Sequence, residues 1–178
     1  MSKDIVFKLV VSESGKDAYS SVLSFQQAAN IIGYFPDDAS SNDLCLLAAQ
    51  HPASVVREHV ADRDYLSSEV LEILSADSSI SVLRKLVRSD AFRESVTQEE
   101  LLGGIKLDTE IAKTVAYSVE SYVQVDINII ASLLAEHEDP QVVYCLAQND
   151  RAPKKILKTL LNHPDFFVAN EAKRQLEH

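Results

Sequence analysis

Apolar residues return along this chain at an interval too long for a single helix and too regular for a single enclosed core. Five stretches open alike: Ser54-Val55-Val56, Ser81-Val82-Leu83, Glu110-Ile111-Ala112, Gln141-Val142-Val143 and Phe167-Val168-Ala169. Their anchors Val56, Val82, Ile111, Val142 and Val168 are separated by 26, 29, 31 and 26 residues. Four residues past each anchor stands another apolar residue, in turn Val60, Leu86, Val115, Leu146 and Ala172. An i, i+4 stripe marks one buried face of a helix. Its return at this period predicts a stack of helical units that work through an extended surface.

The columns around the stripe refine that reading. Positions two and three past each anchor vary freely (Glu58-His59, Arg84-Lys85, Lys113-Thr114, Tyr144-Cys145, Asn170-Glu171), so they are expected to face solvent or sit at an edge. Asp108, Asp139 and Asp165 occupy one register before the first helix of a unit, with Ala53 and Ser79 in the equivalent places. Aspartate or serine there can accept hydrogen bonds from the free amides of the first turn. Pro140 follows Asp139 at the first helical position, where its missing N–H costs nothing. A second helix aligns across units over Leu44–Ala49, Val70–Ser75, Ile130–Ala135 and Ile156–Leu161. The third unit, around Glu99 to Lys106, departs from it with Gly103-Gly104. Two interior glycines cost roughly 1 kcal/mol each, which predicts that the helix ends early there or that two backbones approach closely.

Residues 1–41 do not join the repeat. Asp4 to Val11 alternates briefly, with Ile5 to Val11 readable as strand or helix, and Ser12-Glu13-Ser14-Gly15-Lys16 reads as a turn. Val22, Phe25, Ala29 and Ile32 fall at helical spacing and predict a helix from Ala18 to Phe35, before Pro36-Asp37-Asp38. Repeat stacks need end units that cover an otherwise bare apolar face, and this segment is assigned that capping role.

His51-Pro52-Ala53-Ser54-Val55-Val56-Arg57-Glu58-His59-Val60-Ala61-Asp62, continuing through Leu66, Val70, Leu71 and Leu74 to Asp77, resembles a leucine-rich-repeat variant unit. That family belongs among the HEAT-like helical repeats. Asp139-Pro140-Gln141-Val142-Val143 through Leu146-Ala147 to Leu160-Leu161 is similar. The likeness covers about residues 42–175. It implies an all-α fold: a short right-handed α-solenoid of about five helical-repeat units behind the N-terminal capping segment. Leu176-Glu177-His178 reads as a tag remnant and is left out of the functional reasoning. One iron–sulfur protein of this kind carries a cysteine cluster before its repeats; this chain has none there, so no cluster is carried over.

Composition narrows the function. The chain has 178 residues, 46% of them apolar, which suffices for a packed core. No window approaches a membrane span and the first residues do not open a signal peptide, so a cytoplasmic protein is expected. Cys45 and Cys145, the only cysteines, fall on distant units and are expected to be free thiols. A net charge of −10, from 27 acidic and 17 basic residues, argues against nucleic acid and membrane surfaces and for a basic protein partner.

Candidate chemistry largely dissolves on alignment. His51, His137 and His163 share a column with Asp77 just after the second helix. Packed helices lie about 8–10 Å apart, whereas zinc needs ligands about 2 Å away, so the column cannot hold one metal. These histidines read as helix-end residues at the negative end of the helix dipole. Neither cysteine has a histidine nearby in the register, no Gly-x-Ser-x-Gly elbow occurs, and Gly103-Gly104-Ile105-Lys106 is too short for a phosphate loop. No cofactor is expected.

Charge along the stack is patterned. Asn42–Ser79 holds 2 basic and 7 acidic residues, Ile80–Leu107 holds 5 and 4, Asp108–Asp139 holds 1 and 7, and Pro140–Asp165 holds 4 and 2. If the second helices line the binding face, Glu69, Glu72, Asn128, Ser132 and Glu136 share it with Arg151, Lys154, Lys155 and Lys158. The expected function is a non-enzymatic protein-interaction module. The alternative is a HEAT-like DNA-repair glycosylase or nucleic-acid binder, disfavoured by the acidic charge and the absence of Trp. The last unit has only its first helix, so its open side could also pair with a second copy.

Overall fold

In the computed structural model of the chain, which describes residues 5–177, the fold is mostly helical, with one two-stranded sheet. The readings made on Met1 to Asp4 and on His178 lie outside the described residues. Two compact units divide the chain, one ending at Ala91 and the other beginning at Phe92.

The N-terminal unit opens with strands β1 (Lys8–Glu13) and β2 (Lys16–Val22), paired antiparallel. Ser14 and Gly15 take φ of 51° and 79° at the turn, the pair of positive values that a two-residue hairpin favours. Ile5 to Val11 is therefore strand from Lys8 onward, and this hairpin is a small sheet on an otherwise helical chain. The predicted helix from Ala18 to Phe35 is corrected. Ala18 to Val22 belongs to β2, and α1 covers only Phe25–Ile32. Ser24 decides the boundary through a capping box: its hydroxyl accepts the Gln27 N–H while the Gln27 side chain accepts the Ser24 N–H. The buried face is Ala28, Ala29 and Ile32, whereas Val22 and Phe25 are exposed.

A short 3-10 turn at Ala39–Ser41 leads into α2 (Asn42–Ala48), α3 (Ser54–Ala61), α4 (Ser68–Ser75) and α5 (Ile80–Leu86). Helices α1, α3 and α5 pack in sequence, and α2 and α4 pack on each other and on that row. The stripe residues Val56, Val60, Val70, Leu74, Val82 and Leu86 are buried. Each such aliphatic side chain contributes about 1.5–3 kcal/mol on leaving water. α6 (Asp90–Ser95), unforeseen in the sequence, spans the division between the units.

The C-terminal unit holds α7 (Gln98–Leu107), α8 (Thr109–Tyr117), α9 (Ile127–Ala135), α10 (Pro140–Gln148), α11 (Lys154–Leu160) and α12 (Phe166–Glu177). Here α8, α10 and α12 pack in sequence, α9 packs on α10 and α11, and α11 on α12. Ile111, Val115, Val142, Leu146, Val168 and Ala172 form the inner row. Helix α7 runs unbroken through Gly103-Gly104. A Cβ at Gly103 would meet nothing within 4 Å, and one at Gly104 would touch only the Ile111 side chain at 3.4 Å. Neither an early helix end nor a close backbone approach accounts for the pair. A capping box between Thr97 and Glu100 and the buried Leu101 and Ile105 hold the helix despite it. Among the described residues no helix is long and apolar enough to cross a membrane.

Candidate functional site

Two polar columns flank the first helix of each unit. The column before it is built by His51, Asp77, His137 and His163. Nδ1 of His51 accepts the Ala53 N–H at 3.0 Å, His137 accepts that of Asp139 at 3.0 Å, and His163 that of Asp165 at 3.1 Å. Asp77 does the same through Oδ1 for the Ser79 N–H at 2.8 Å. Each of these histidines, standing just past the end of a helix as the register places it, serves its loop as a hydrogen-bond acceptor. Among the described residues no group of three or more His, Cys, Asp or Glu could hold a metal.

Next in the loop, Asp108 accepts the Ile111 N–H at 3.0 Å, Asp139 that of Gln141 at 2.8 Å and Asp165 that of Phe167 at 2.8 Å. Ser79 makes no such cap, because its hydroxyl pairs with that of Ser81. Arg57 ties two successive loops, donating to the His51 carbonyl at 2.7 Å and by both Nε and Nη2 to the Asp77 carboxylate.

The second column, seven residues past each anchor, escaped the sequence reading: Arg63, Ser89, Ser118, Asn149 and Gln175. Arg63, Ser89 and Asn149 are buried. Three of these side chains reach back to the carbonyl end of an earlier first helix. Arg63 Nη1 donates to Ile32 O at 2.9 Å, Asn149 Nδ2 to Ala116 O at 3.4 Å, and Gln175 Nε2 to Gln148 O at 2.9 Å. The signal was a uniformly polar position closing an apolar stripe.

In the C-terminal unit this column lines a cleft of about 560 Å³ walled by Tyr117, Ser118, Glu120, Gln148, Asn149, Asp150, Arg174 and Gln175. Asn149, 4% exposed, fixes its chemistry. Its Nδ2 donates to Glu120 Oε2 at 2.8 Å, and its Oδ1 accepts the Arg151 N–H at 2.9 Å. Arg174 is taken up by Glu171, with Nε within 3.1 Å of both carboxylate oxygens. The Arg174 guanidinium accordingly holds the Glu171 carboxyl below its ordinary range, and the pair explains why Glu171 is buried in a column expected to be open. Two carboxylates, Glu120 and Asp150, thus stand beside the C-terminal ends of α8 and α10, which carry partial negative charge themselves. The cleft suits a cation.

A smaller hollow of about 290 Å³ lies where α10 and α12 begin, lined by Pro140, Gln141, Tyr144, Asp165, Phe167 and Val168. Phe166 and Phe167 stand beside it, 73% and 71% exposed, with ring centroids 5.9 Å apart, edge to face.

The nine residues predicted to share a binding face are all exposed. Glu69 and Glu72 lie on α4 in the N-terminal unit. Asn128, Ser132 and Glu136 lie on or just past α9, and Lys154, Lys155 and Lys158 on α11, with Arg151 in the turn before it. Because α9 and α11 pack together, the last seven belong to neighbouring elements of one unit. Among the described residues, no ion pair engages Arg151, Lys154, Lys155 or Lys158. Cys45 and Cys145 are free, and burial pushes both thiols up. No protein-family model, no curated protein and no solved structure matches this chain.

Proposed function

We propose that the chain is a non-enzymatic interaction module whose helical repeats, of the α-solenoid kind within each unit, bind a basic segment of another protein. The observation that carries the reading is the Glu120 carboxylate, held by the buried Asn149 at a cleft between helix C-terminal ends. A lysine or arginine side chain entering there meets the carboxylates of Glu120 and Asp150, the negative ends of α8 and α10 and the exposed ring of Tyr117, which a cation favours. The net charge of −10 would draw such a segment in from solution. The uncommitted cations Arg151, Lys154, Lys155 and Lys158 would take acidic residues flanking it, and the exposed acids Glu69, Glu72 and Glu136 would add to the attraction. Further support comes from the histidines and capping aspartates, whose acceptor atoms are already spent on loop amides.

Calorimetric titration with a lysine-rich peptide and a glutamate-rich peptide of equal length tests the reading. The basic peptide is expected to bind, more weakly as salt is added. Glu120→Gln, which still offers Asn149 an acceptor, is expected to weaken it by roughly tenfold, one charge-assisted hydrogen bond. Equal binding of the acidic peptide, or an affinity for the basic one indifferent to Glu120→Gln, refutes the proposal.

A further inference from the structure

The hairpin has no core of its own. Every residue of β1 is exposed, and all but one of β2. Leu9, Val10, Val11, Tyr19 and Val22 are 45–59% exposed, on both faces of the sheet. A lone two-stranded hairpin is marginal in water, and a bare apolar edge is a template for another strand.

The two edges differ. β2 carries a bulge: Val11 faces Tyr19 but Ser12 faces Asp17, which leaves Ala18 as the extra residue. Bulges blunt an edge by twisting it. β1 is regular throughout. The Leu23 N–H donates to Phe7 O at 2.9 Å, which makes Phe7 and Leu23 a hydrogen-bonded pair. By the alternation of an antiparallel ladder, the backbone groups of Lys8, Val10 and Ser12 then point to the free edge.

We propose that the occupant of this edge is β1 of a second copy, antiparallel about a twofold axis at Val10, giving a four-stranded sheet. In that register Val10 faces its own copy, Leu9 faces Val11 in the closer non-hydrogen-bonded pairs, and Lys8 faces Ser12. Ser12 already donates to Asp17 at 3.0 Å, so each Lys8 ammonium is directed toward the carboxylate beyond it. A shift of the axis by one residue is worse either way: about Val11 it sets Leu9 against Glu13, and about Leu9 it sets Val10 against Lys8. The strand is self-complementary in one register only, as a closed twofold contact requires.

Sedimentation of the intact chain over a wide concentration range, with two variants, decides the matter. Val10→Pro removes the central edge donor from each copy but none of the hydrogen bonds within the hairpin. It is expected to weaken association by roughly tenfold or more while circular dichroism stays unchanged. Val10→Cys places two thiols across the axis at the Cα spacing of a hydrogen-bonded pair, about 5.5 Å, within disulfide reach. Mild oxidation should then give a covalent dimer, whereas Val22→Cys and the parent chain should not. A parent chain that remains monomeric at every concentration, a dimer that Val10→Pro leaves intact, or equal cross-linking at Val10 and Val22 overturns the proposal.

Discussion

Asn149→Asp changes one side-chain atom and almost no volume, yet it sets like against like. The amide nitrogen of Asn149 lies 2.8 Å from Glu120 Oε2 and 3.4 Å from the Ala116 carbonyl, in a side chain only 4% exposed. A carboxylate in its place would repel Glu120 by about 5 kcal/mol at roughly 3 Å and an effective dielectric near 20. Keeping one proton is the cheaper escape. At pH 7 it costs about 1.4 kcal/mol for each pH unit above the ordinary aspartate value near 3.9, about 4 kcal/mol in all. Glu120 is half-buried and can partly swing away, so a loss of about 2–4 kcal/mol is expected at neutral pH. Near pH 4 the new carboxyl carries its proton and donates to Glu120 as the amide did, and the loss should fall to about 1 kcal/mol or less. The sign follows from a carboxyl pKa raised in the folded state: the penalty is absent at low pH and grows as pH rises above the unfolded value. Urea unfolding of parent and variant in matched buffers at pH 4 and pH 7 gives the two differences. A loss of equal size at both, or none at pH 7, would mean that Asn149 does not serve as donor to Glu120.

Two further substitutions probe the frame. Arg63 is buried, donates to the carbonyls of Ile32 and Pro36, and approaches Asp37 Oδ1 at 3.4 Å. Arg63→Met keeps the apolar stem but strips those acceptors, so a loss of about 3–5 kcal/mol is expected, with hydrogen exchange accelerating first in α1 and residues 33–37. Gly103→Ala should do the opposite. With nothing within 4 Å of the added Cβ, it should stabilise the helix by about 0.5–1 kcal/mol, read as a higher urea midpoint at unchanged slope.

The apolar stripes were legible because a helix writes its buried face into residues four apart, and Val56/Val60, Ile111/Val115 and Val142/Leu146 needed nothing beyond their own segments. The hairpin was half legible. Ser14-Gly15 announced the turn, but Val22, Phe25, Ala29 and Ile32 also fit a helix, and only the Ser24–Gln27 capping box breaks the tie. Gly103-Gly104 misled because propensity is a weak prior and a capped, half-buried helix overrides it. The cleft could not be read from local spacing. Asn149 finds Ala116 and Glu120 at separations of 33 and 29 residues, and Arg63 finds Ile32 at 31. A polar residue that ends an apolar stripe says that it needs a partner, not where the partner is.

Those separations span about one repeat, and they explain why the polar columns accommodate different residue types. Histidine and aspartate alternate in the first column because the loop asks only for an acceptor placed to take the N–H two residues on, at 2.8–3.1 Å in all four cases. In the second, arginine, asparagine and glutamine each donate to the carbonyl end of an earlier helix, whereas Ser89 and Ser118 donate within their own helix end. A requirement on geometry rather than identity leaves no fixed letter in either column. Within that freedom, asparagine at 149 is the choice that does two things at once: it satisfies the Ala116 carbonyl as the repeat requires, and its second hydrogen holds Glu120 at the edge of the cleft. The shorter reach of an amide brings the carboxylate in beside the helix ends, whereas the long guanidinium of Arg63 spans to the chain beyond α1 and spends its charge there. The same structural position therefore yields a closed clamp in one unit and an open cleft edged by a carboxylate in the other.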